Sequence, residues 1–200
     1  MLDSDRLFQE KGFTVIAGVD EAGRGPLAGP VVAAAVILSP QCSIIDQLDD
    51  SKKLSSVMRE RLFKDIKRSS LALGVGIINE KVIDGLDILK ATKLAMSQAL
   101  MRLKIQPDLV LIDGPIELNV SLPQIPLVAG DTLSPAIAAA SVIAKVVRDR
   151  IMEFYHTLYP EYGFRFNKGY PTDAHIGAIE KNGPCPIHRR SFRPVRDLCP

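Results

Sequence analysis

The chain is poor in the residues that build disulfide frameworks and zinc-binding folds. Its 200 residues include only three cysteines and three histidines, and the cysteines form no CxxC pair. An odd number of cysteines with this spacing argues against a disulfide framework. Cys185, His188 and Cys199 could form part of a zinc site, but no fourth ligand with finger-like spacing occurs. Any metal site in this chain is therefore expected to use other ligands.

Long apolar runs are absent as well. The longest nearly uninterrupted one, residues 26–38, is shorter than the about 20 residues that a membrane-spanning helix needs. The first twelve residues mix acidic and basic side chains with few apolar ones, unlike a secretion signal. We therefore expect a cytoplasmic protein without a membrane partner. The absence of repeats, low-complexity tracts and long linkers predicts one domain over residues 1–200. We also expect a monomer.

The formal net charge of +2 is too small to identify a nucleic-acid-binding protein by itself. From Arg165 to the C-terminus, however, seven lysines and arginines stand against three acids, which gives this segment a local charge of +4. Such a basic end could contact the phosphates of a nucleic acid. A solvated surface that keeps the protein in solution is the alternative.

Apolar runs and turn residues predict an α/β fold. Residues 13–19 and 31–38 are expected to form an antiparallel hairpin, and residues 71–78, 109–112 and 126–129 further strands. Helices are predicted from Ser55 or Ser56 to about Ser69, from Asp87 to before Pro107, from Ser134 towards Tyr159, and from Thr172 to about Lys181. Strands that begin as a hairpin and then alternate with helices indicate a mixed sheet covered by helices.

Acidic residues follow three of the predicted strands. Asp20 and Glu21 come after the first strand, Asp113 after the fourth and Asp131 shortly after the fifth. Ligands of open α/β sheets bind at strand ends, so these four side chains could converge although they are distant in sequence. The alternative is ordinary turn chemistry, since Asp-Gly-Pro and Gly-Asp sequences are common in turns.

A cluster of ionised carboxylates needs a cation to compensate its charge. Without one, the acids repel one another and partly protonate. Oxygen-only ligands favour Mg²⁺ or Mn²⁺ over zinc, and such ions keep waters or substrate phosphate oxygens in their coordination shell. Two ions about 3.5–4 Å apart can hold an attacking water and a leaving oxygen in line. If the acids converge, the sequence therefore predicts hydrolysis of a phosphodiester.

The acidic pair is followed by two glycines around an arginine, in the segment DEAGRGP at residues 20–26. Gly23 and Gly25 allow the backbone to approach a ligand closely. Exposed peptide groups suit a ribose 2′-OH, which both donates and accepts hydrogen bonds. A hairpin turn that needs glycine for its backbone angles is the alternative.

Several motifs in the same order resemble the ribonuclease HII family, and the resemblance covers nearly the whole chain. The most specific motif is AGVDEAGRGP at residues 17–26. The others are DSKKLS at 50–55, IDG at 112–114, ASVIAKVVRD at 140–149, KGYPT at 168–172 with His175, and HRRSFRPV at 188–195. The resemblance implies a ribonuclease H-like core over about residues 13–158 and a helical, basic C-terminal extension over about residues 159–200.

The resemblance also implies which residues are catalytic. It assigns the metal-binding quartet to Asp20, Glu21, Asp113 and Asp131, with two Mg²⁺ or Mn²⁺ ions expected when substrate is bound. Asp149 is the competing candidate for the fourth position. We prefer Asp131 because it follows a strand, whereas Asp149 lies inside a predicted helix and can pair with a neighbouring arginine.

The same resemblance implies how the substrate is bound. Gly23, Arg24 and Gly25 are expected to recognise the 2′-OH, and Tyr170 to stack on or orient the adjacent deoxyribose. Further candidates, for phosphate contacts, are Lys52, Lys53, Ser141 and Lys145. His175 could assist near the metals, although a histidine at the start of a helix more often has a structural role.

The expected activity is cleavage of the RNA strand of RNA/DNA hybrids and cleavage 5′ to ribonucleotides embedded in duplex DNA, leaving 3′-OH and 5′-phosphate ends. Ribonucleotide excision repair would use such an enzyme. One alternative is a non-catalytic nucleic-acid-binding module, and another is a ribonuclease HIII-type hybrid nuclease. The HIII family usually has an extra N-terminal domain, and only twelve residues precede the first predicted strand. A sugar kinase or phosphatase would need a nucleotide-binding loop, and no Walker-type motif occurs.

Overall fold

The computed structural model describes residues 4–40, 42, 44, 48 and 55–198. Its centre is a sheet of five strands within these residues: β1 Ile16–Ala22, β2 Val31–Leu38, β3 Ser70–Ile78, β4 Leu109–Asp113 and β5 Gln124–Leu127. The strand order is β3-β2-β1-β4-β5, in which β2 is antiparallel to both of its neighbours and β4 is parallel to both of its own. The predicted hairpin and mixed sheet are therefore confirmed.

Helices surround the sheet. Those in the described ranges are α1 Ser4–Glu10, α2 Ser56–Ser69, α3 Glu80–Leu86, α4 Ile88–Met101, α5 Pro135–Leu158, α6 Phe164–Asn167, α7 Asp173–Asn182 and α8 Val195–Leu198. Two 3₁₀ turns, Gly130–Thr132 and Pro160–Tyr162, precede and follow α5. In this part of the chain no helix combines the length and the apolar character needed to cross a membrane.

Side-chain caps begin the helices at the residues that the sequence indicated. Ser55, Asp87, Ser134 and Thr172 each accept a hydrogen bond from an N–H in the first turn, at α2, α4, α5 and α7 respectively. These N–H groups have no partner inside the helix, so a polar cap stabilises the start. The four predicted helices are therefore confirmed.

Several local features differ from the prediction. β1 begins three residues later because the N–H groups of Thr14 and Val15 donate to the carboxylate of Asp108, at 2.8 and 3.0 Å, instead of to a neighbouring strand. β5 ends two residues earlier because Ala129 has a left-handed φ of 54°, which interrupts extended backbone. The sequence did not predict α3, since its seven residues are too few to show a helical repeat.

Close helix packing explains the glycines within the strands. A Cβ at Gly74 or Gly76 in β3 would overlap the backbone of α4 on one face of the sheet. On the other face, a Cβ at Gly18 in β1 would overlap the first turn of α5. Because of this contact, the residues of α5 that follow its first turn lie near the end of β1, where the acidic residues begin.

Residues 159–198 form a helical C-terminal part, as predicted. It encloses an apolar cluster around the fully buried Phe164. Its backbone also pairs with the turn between β1 and β2, because the N–H of Leu27 donates to the carbonyl of Gly169 at 2.7 Å and that of Gly29 to Ile187 at 2.9 Å. The C-terminal part therefore holds the loop that follows the first acidic residues.

Candidate active site

Asp20 and Asp113 lie at matching positions on two parallel strands. β1 and β4 pair with Val19 opposite Ile112, so the next residue of each strand is an aspartate. Side chains alternate along a strand, which turns both aspartates to the face where Gly18 meets α5. The sheet register therefore brings together two acids that are far apart in sequence.

Asp20 is a buried acid in electrostatically unfavourable surroundings. It is only 5% exposed, and its pKa is raised well above the usual value, first by burial and then by the charges of Glu21 and Asp113. Two hydrogen bonds oppose this shift: the N–H of Glu21 donates to Oδ1 at 2.6 Å, and the side chain of Ser141 is the second partner. Ser141 of α5 thus contacts a candidate metal ligand directly.

Glu21 is coupled to the same acids. Burial raises its pKa, the guanidinium of Arg24 opposes this from 3.3 Å, and the charge of Asp113 raises it further. Its second oxygen, Oε2, is buried and accepts no hydrogen bond within the described residues. Asp20, Glu21 and Asp113 therefore form one electrostatic group whose negative charge is only partly compensated by Arg24.

Asp131 is held close to Asp113 by the turn that contains it. The N–H of Gly130 donates to Oδ1 of Asp113 at 2.7 Å, and Asp131 follows in the 3₁₀ turn with only 4% exposure. Asp149, the competing candidate, instead forms an ion pair with Lys145 at 2.6 Å on α5. The expected pairing of Asp149 with a basic neighbour is found, with a lysine in place of the arginine.

The donor atoms of this region suit a hard divalent cation. The four candidate acids offer only carboxylate oxygens, and a buried, unsatisfied oxygen such as Oε2 of Glu21 is one that a cation would stabilise. Across residues 4–40, 42, 44, 48 and 55–198, no three His, Cys, Asp or Glu side chains stand close enough to form a complete metal site. Asp20, Glu21 and Asp113 are thus coupled by their charges without forming a closed ligand shell, and Asp131 is linked to Asp113 through the backbone of Gly130.

A cleft of about 360 Å³ opens next to the acids. Its walls come from the end of β1, the turn after it, α2, α5 and the C-terminal part, and are formed by Glu21, Ala22, Gly23, Arg24, Gly25, Arg59, Ser141, Val142, Lys145 and Tyr170. Every predicted substrate-binding residue that the structure describes lies in this cleft. Lys52 and Lys53 fall outside the described residues.

Arg59 of α2 is the charged cleft residue that the sequence did not single out. Its helical spacing predicted only a place on the solvated side of α2, and that pattern does not distinguish a cleft wall from open solvent. Arg59 also lines a second groove of about 550 Å³ between α2 and α5. It therefore connects the cleft with a neighbouring surface that carries further arginines and lysines.

Two buried arginines, which do not line the cleft, bind the turn between β1 and β2. Arg148 of α5 is 1% exposed and donates to the carbonyl oxygens of Ala28 and Pro30, both at 3.1 Å, and of Lys168 at 3.0 Å. It lies against Gly23, where a Cβ would overlap the arginine side chain. Because Gly23 also has a φ of +99°, both space and backbone angle require glycine there.

Arg189 of the C-terminal part completes this support. Its guanidinium is fully buried and donates to the carbonyl oxygens of Gly23 at 2.6 Å and of Arg24 and Gly29 at 2.9 Å. Burial and the nearby charge of Arg148 lower the pKa of Arg189 to about 9, which keeps it charged at neutral pH. Sequence reasoning missed both arginines because their partners are backbone carbonyls, most of them over 100 residues away.

A buried histidine pair supports the backbone of Tyr170. The N–H of Cys185 donates to Nδ1 of His188 at 2.9 Å, which places the proton of that neutral ring on Nε2. Nε2 of His188 can then donate to Nε2 of His175 at 3.0 Å, and Nδ1 of His175 to the carbonyl of Tyr170 at 2.9 Å. One tautomer of each neutral ring satisfies all three contacts.

His175 is part of the C-terminal core. It is fully buried, its pKa is lowered by burial, and it does not line the cleft beside the acids. Burial and the charge of His175 lower the pKa of His188 to about 4, so both rings are neutral at pH 7. Of the two roles considered for His175, its position favours the structural one.

Acids at the carboxyl ends of two strands, beside a cleft with basic side chains and glycine backbone in its walls, can bind a sugar-phosphate chain and hydrolyse it. This chemistry defines a nuclease. Residues 17–195 match the sequence profile of the family described as Ribonuclease HII, and the chain belongs to this family. Ribonuclease HII of Ruminiclostridium cellulolyticum is 54% identical over 192 residues, which cover 96% of this chain and 75% of the relative.

Solved structures share the fold. Ribonuclease H2 of Pyrococcus horikoshii OT3 has a TM-score of 0.80 and 28% identity, over 92% of this chain and 97% of that one. Bst-RNase HIII in complex with Mn²⁺ has a TM-score of 0.77 over 92% of this chain and 68% of that one, and at 19% identity it shows the fold alone. The predicted ribonuclease H-like fold is thus confirmed.

Family membership defines the activity at the level of its class. The chain is an endonuclease of RNA/DNA hybrids, from a metal-dependent group of enzymes. The alternative of a non-catalytic nucleic-acid-binding module is therefore wrong.

Proposed function

We propose that this chain cuts the phosphodiester 5′ to a ribonucleotide, both in RNA/DNA hybrids and at ribonucleotides embedded in duplex DNA, and leaves 3′-OH and 5′-phosphate ends. The observation that carries the proposal is the electrostatic coupling of Asp20, Glu21 and Asp113 beside the cleft of segment 23–25. Buried acids that raise one another's pKa favour a cation. The adjoining peptide groups favour a sugar hydroxyl.

Two Mg²⁺ or Mn²⁺ ions would be held by Asp20, Glu21, Asp113 and Asp131. When bound, such ions supply an activated water and offset the charge that develops on the phosphate. The protein's contribution is to orient the ligand oxygens. Ser141 and the Glu21 N–H orient Asp20, and the Gly130 N–H orients Asp113. Hydrogen bonds of this kind keep carboxylates ionised and fix their direction.

The cleft would bind the ribonucleotide and the phosphates around it. Segment 23–25 would face the ribose, and Tyr170, which is 42% exposed, offers a ring face to the neighbouring deoxyribose. Phosphate contacts are proposed for Ser141, Lys145, Lys52 and Lys53.

We also propose that the chain works as a monomer of one domain, with a catalytic core over about residues 13–158. The extension over about residues 159–200 would hold the duplex, since five of its basic side chains are exposed: Arg165, Lys181, Arg190, Arg193 and Arg196. Cytoplasmic removal of ribonucleotides from DNA, as in ribonucleotide excision repair, is the setting that this substrate indicates.

A cleavage assay on two matched duplexes tests the proposal. One duplex contains a single ribonucleotide and the other is all DNA, and each is incubated with Mg²⁺, with Mn²⁺ and with EDTA. We expect cleavage only 5′ to the ribonucleotide and only with a divalent ion. Cutting of the all-DNA duplex, or full activity in EDTA, would contradict the proposal.

The ligand assignment is tested by Asp113→Asn, which removes a charge and keeps the side-chain shape. We expect the cleavage rate to fall at least about a hundredfold, while duplex binding in Ca²⁺ persists. Asp173→Asn is the matched control, because Asp173 is an exposed acid in the first turn of α7. Normal turnover by Asp113→Asn would remove Asp113 from the site.

A further inference from the structure

Arg189 holds two consecutive peptide groups of the cleft wall in a single orientation. Its guanidinium donates to the carbonyl oxygens of Gly23 at 2.6 Å and Arg24 at 2.9 Å. In a trans peptide the N–H of the next residue points opposite to the carbonyl. The N–H groups of Arg24 and Gly25 therefore both point away from Arg189.

The side opposite Arg189 is the cleft. Gly23, Arg24 and Gly25 line it, whereas Arg189 is fully buried and forms no part of its wall. Gly25 also faces the ring of Tyr170, since a Cβ at this glycine would lie 3.8 Å from Cε1 of the tyrosine. Two adjacent N–H groups are thus turned towards the space beside an aromatic ring.

Arg189 is itself held rigidly. Its own N–H donates to the carbonyl of Leu27 at 2.8 Å. Immediately after it, the carboxylate of Asp84 accepts the N–H groups of Arg190 and Ser191, both at 2.9 Å. The guanidinium also lies 5.0 Å from the ring centre of Phe192. A side chain fixed on both sides can impose its geometry on the loop that it contacts.

We infer that Arg189 is a positioning residue for ribonucleotide recognition, because it aims the N–H groups of Arg24 and Gly25 at the 2′-OH of the bound ribose. This inference rests on the proposed function of the cleft. Arg148 supports other carbonyls of the same turn, those of Ala28 and Pro30, and the carbonyls of Gly23 and Arg24 are left to Arg189. Selectivity for ribose over deoxyribose then depends on a residue that never contacts the substrate.

The test compares affinities for two duplexes in Ca²⁺, one with a single ribonucleotide and one with deoxyribose at the same position. Arg189→Lys keeps the positive charge, but a single ammonium cannot span three carbonyls in a fixed fork. We expect the ratio of the two affinities to fall at least about tenfold, while the affinity for the all-DNA duplex changes less than about twofold.

A stability control separates positioning from general damage. Met96→Ala removes a fully buried side chain from α4, on the face of the sheet away from the cleft. It should lower the melting temperature and leave the ribose selectivity intact. If folded Arg189→Lys keeps the wild-type selectivity, the inference is overturned. If the wild type itself does not distinguish the duplexes, the proposed function fails.

Amide resonances of the wild type give a second measurement, which does not require the variant to fold. The N–H signals of Arg24 and Gly25 should shift more with the ribonucleotide duplex than with the all-DNA duplex. Equal shifts with both duplexes would overturn the inference.

Discussion

The buried histidine pair should make the stability of this protein depend on pH, and His188→Gln should remove the part of that dependence that comes from His188. The side-chain nitrogen of glutamine can donate to Nε2 of His175 as Nε2 of His188 does. Glutamine does not titrate, however. The variant therefore keeps one hydrogen bond of the pair and loses the protonation equilibrium.

The size of the effect follows from the pKa. An unfolded histidine binds its proton near pH 6.5, whereas burial and the charge of His175 lower the pKa of His188 in the folded protein to about 4. Between these values the unfolded chain holds more protons, so stability falls as the pH falls. A pKa difference of about 2.5 corresponds to roughly 3 kcal/mol, present above pH 6.5 and lost by about pH 4.

Urea unfolding at a series of pH values between 7.5 and 4 measures this difference. The free energy of unfolding of the wild type should fall by about 3 kcal/mol more than that of His188→Gln over this range. The variant's own value at pH 7.5 is the reference, so any fixed cost of the substitution cancels. Parallel pH profiles of the two proteins would refute the assignment of neutral, buried rings.

Three further substitutions test the packing and the charge of the site. Gly18→Ala should destabilise the protein by about 3 kcal/mol or more in thermal unfolding, because the new Cβ overlaps the backbone of α5. Gly177→Ala in α7, where a Cβ meets nothing within 4 Å, should instead stabilise it by about 0.5–1 kcal/mol, and equal effects would contradict the packing argument. Asp20→Asn should raise the free energy of unfolding in EDTA by about 1–2 kcal/mol, since it removes a buried charge beside Glu21 and Asp113. A loss of stability in calorimetry would contradict this prediction.

Local sequence signals predicted most of the fold. β2 was predicted with its observed bounds because residues 31–38 are an uninterrupted apolar run between turn signals. α5 was predicted from Ser134 and Pro135, whose cap and first-turn roles need only neighbouring residues. The start of β1 could not be predicted in this way, because it depends on Asp108, which is 94 residues from Thr14.

The candidate site likewise has one part that local sequence predicts and another that depends on contacts between distant residues. Motifs 17–26, 112–114 and 140–149 contain Asp20, Glu21, Asp113 and most of the cleft residues that the fold brings together, and they are recognisable as strings of sequence. Arg148 and Arg189 also lie in such motifs, but their supporting role is not recognisable there, because they bind carbonyl oxygens that every residue possesses. A hydrogen bond to a backbone carbonyl does not require a particular residue type at the accepting position, so only the three-dimensional structure shows it.

The two halves of the site are built by different parts of the chain, and this separates cleavage from recognition. Asp20 and Asp113 are placed by the register of β1 and β4, which depends on the sheet and on α5. The peptide groups of segment 23–25 are placed by Arg189, which depends on the C-terminal core around Phe164. Substitutions that destabilise that core should therefore lower the selectivity for ribose over deoxyribose more than they change the positions of Asp20 and Asp113. Only Ala22 separates Glu21 from segment 23–25, so the acids and the peptide groups that face the ribose must be positioned within the same cleft.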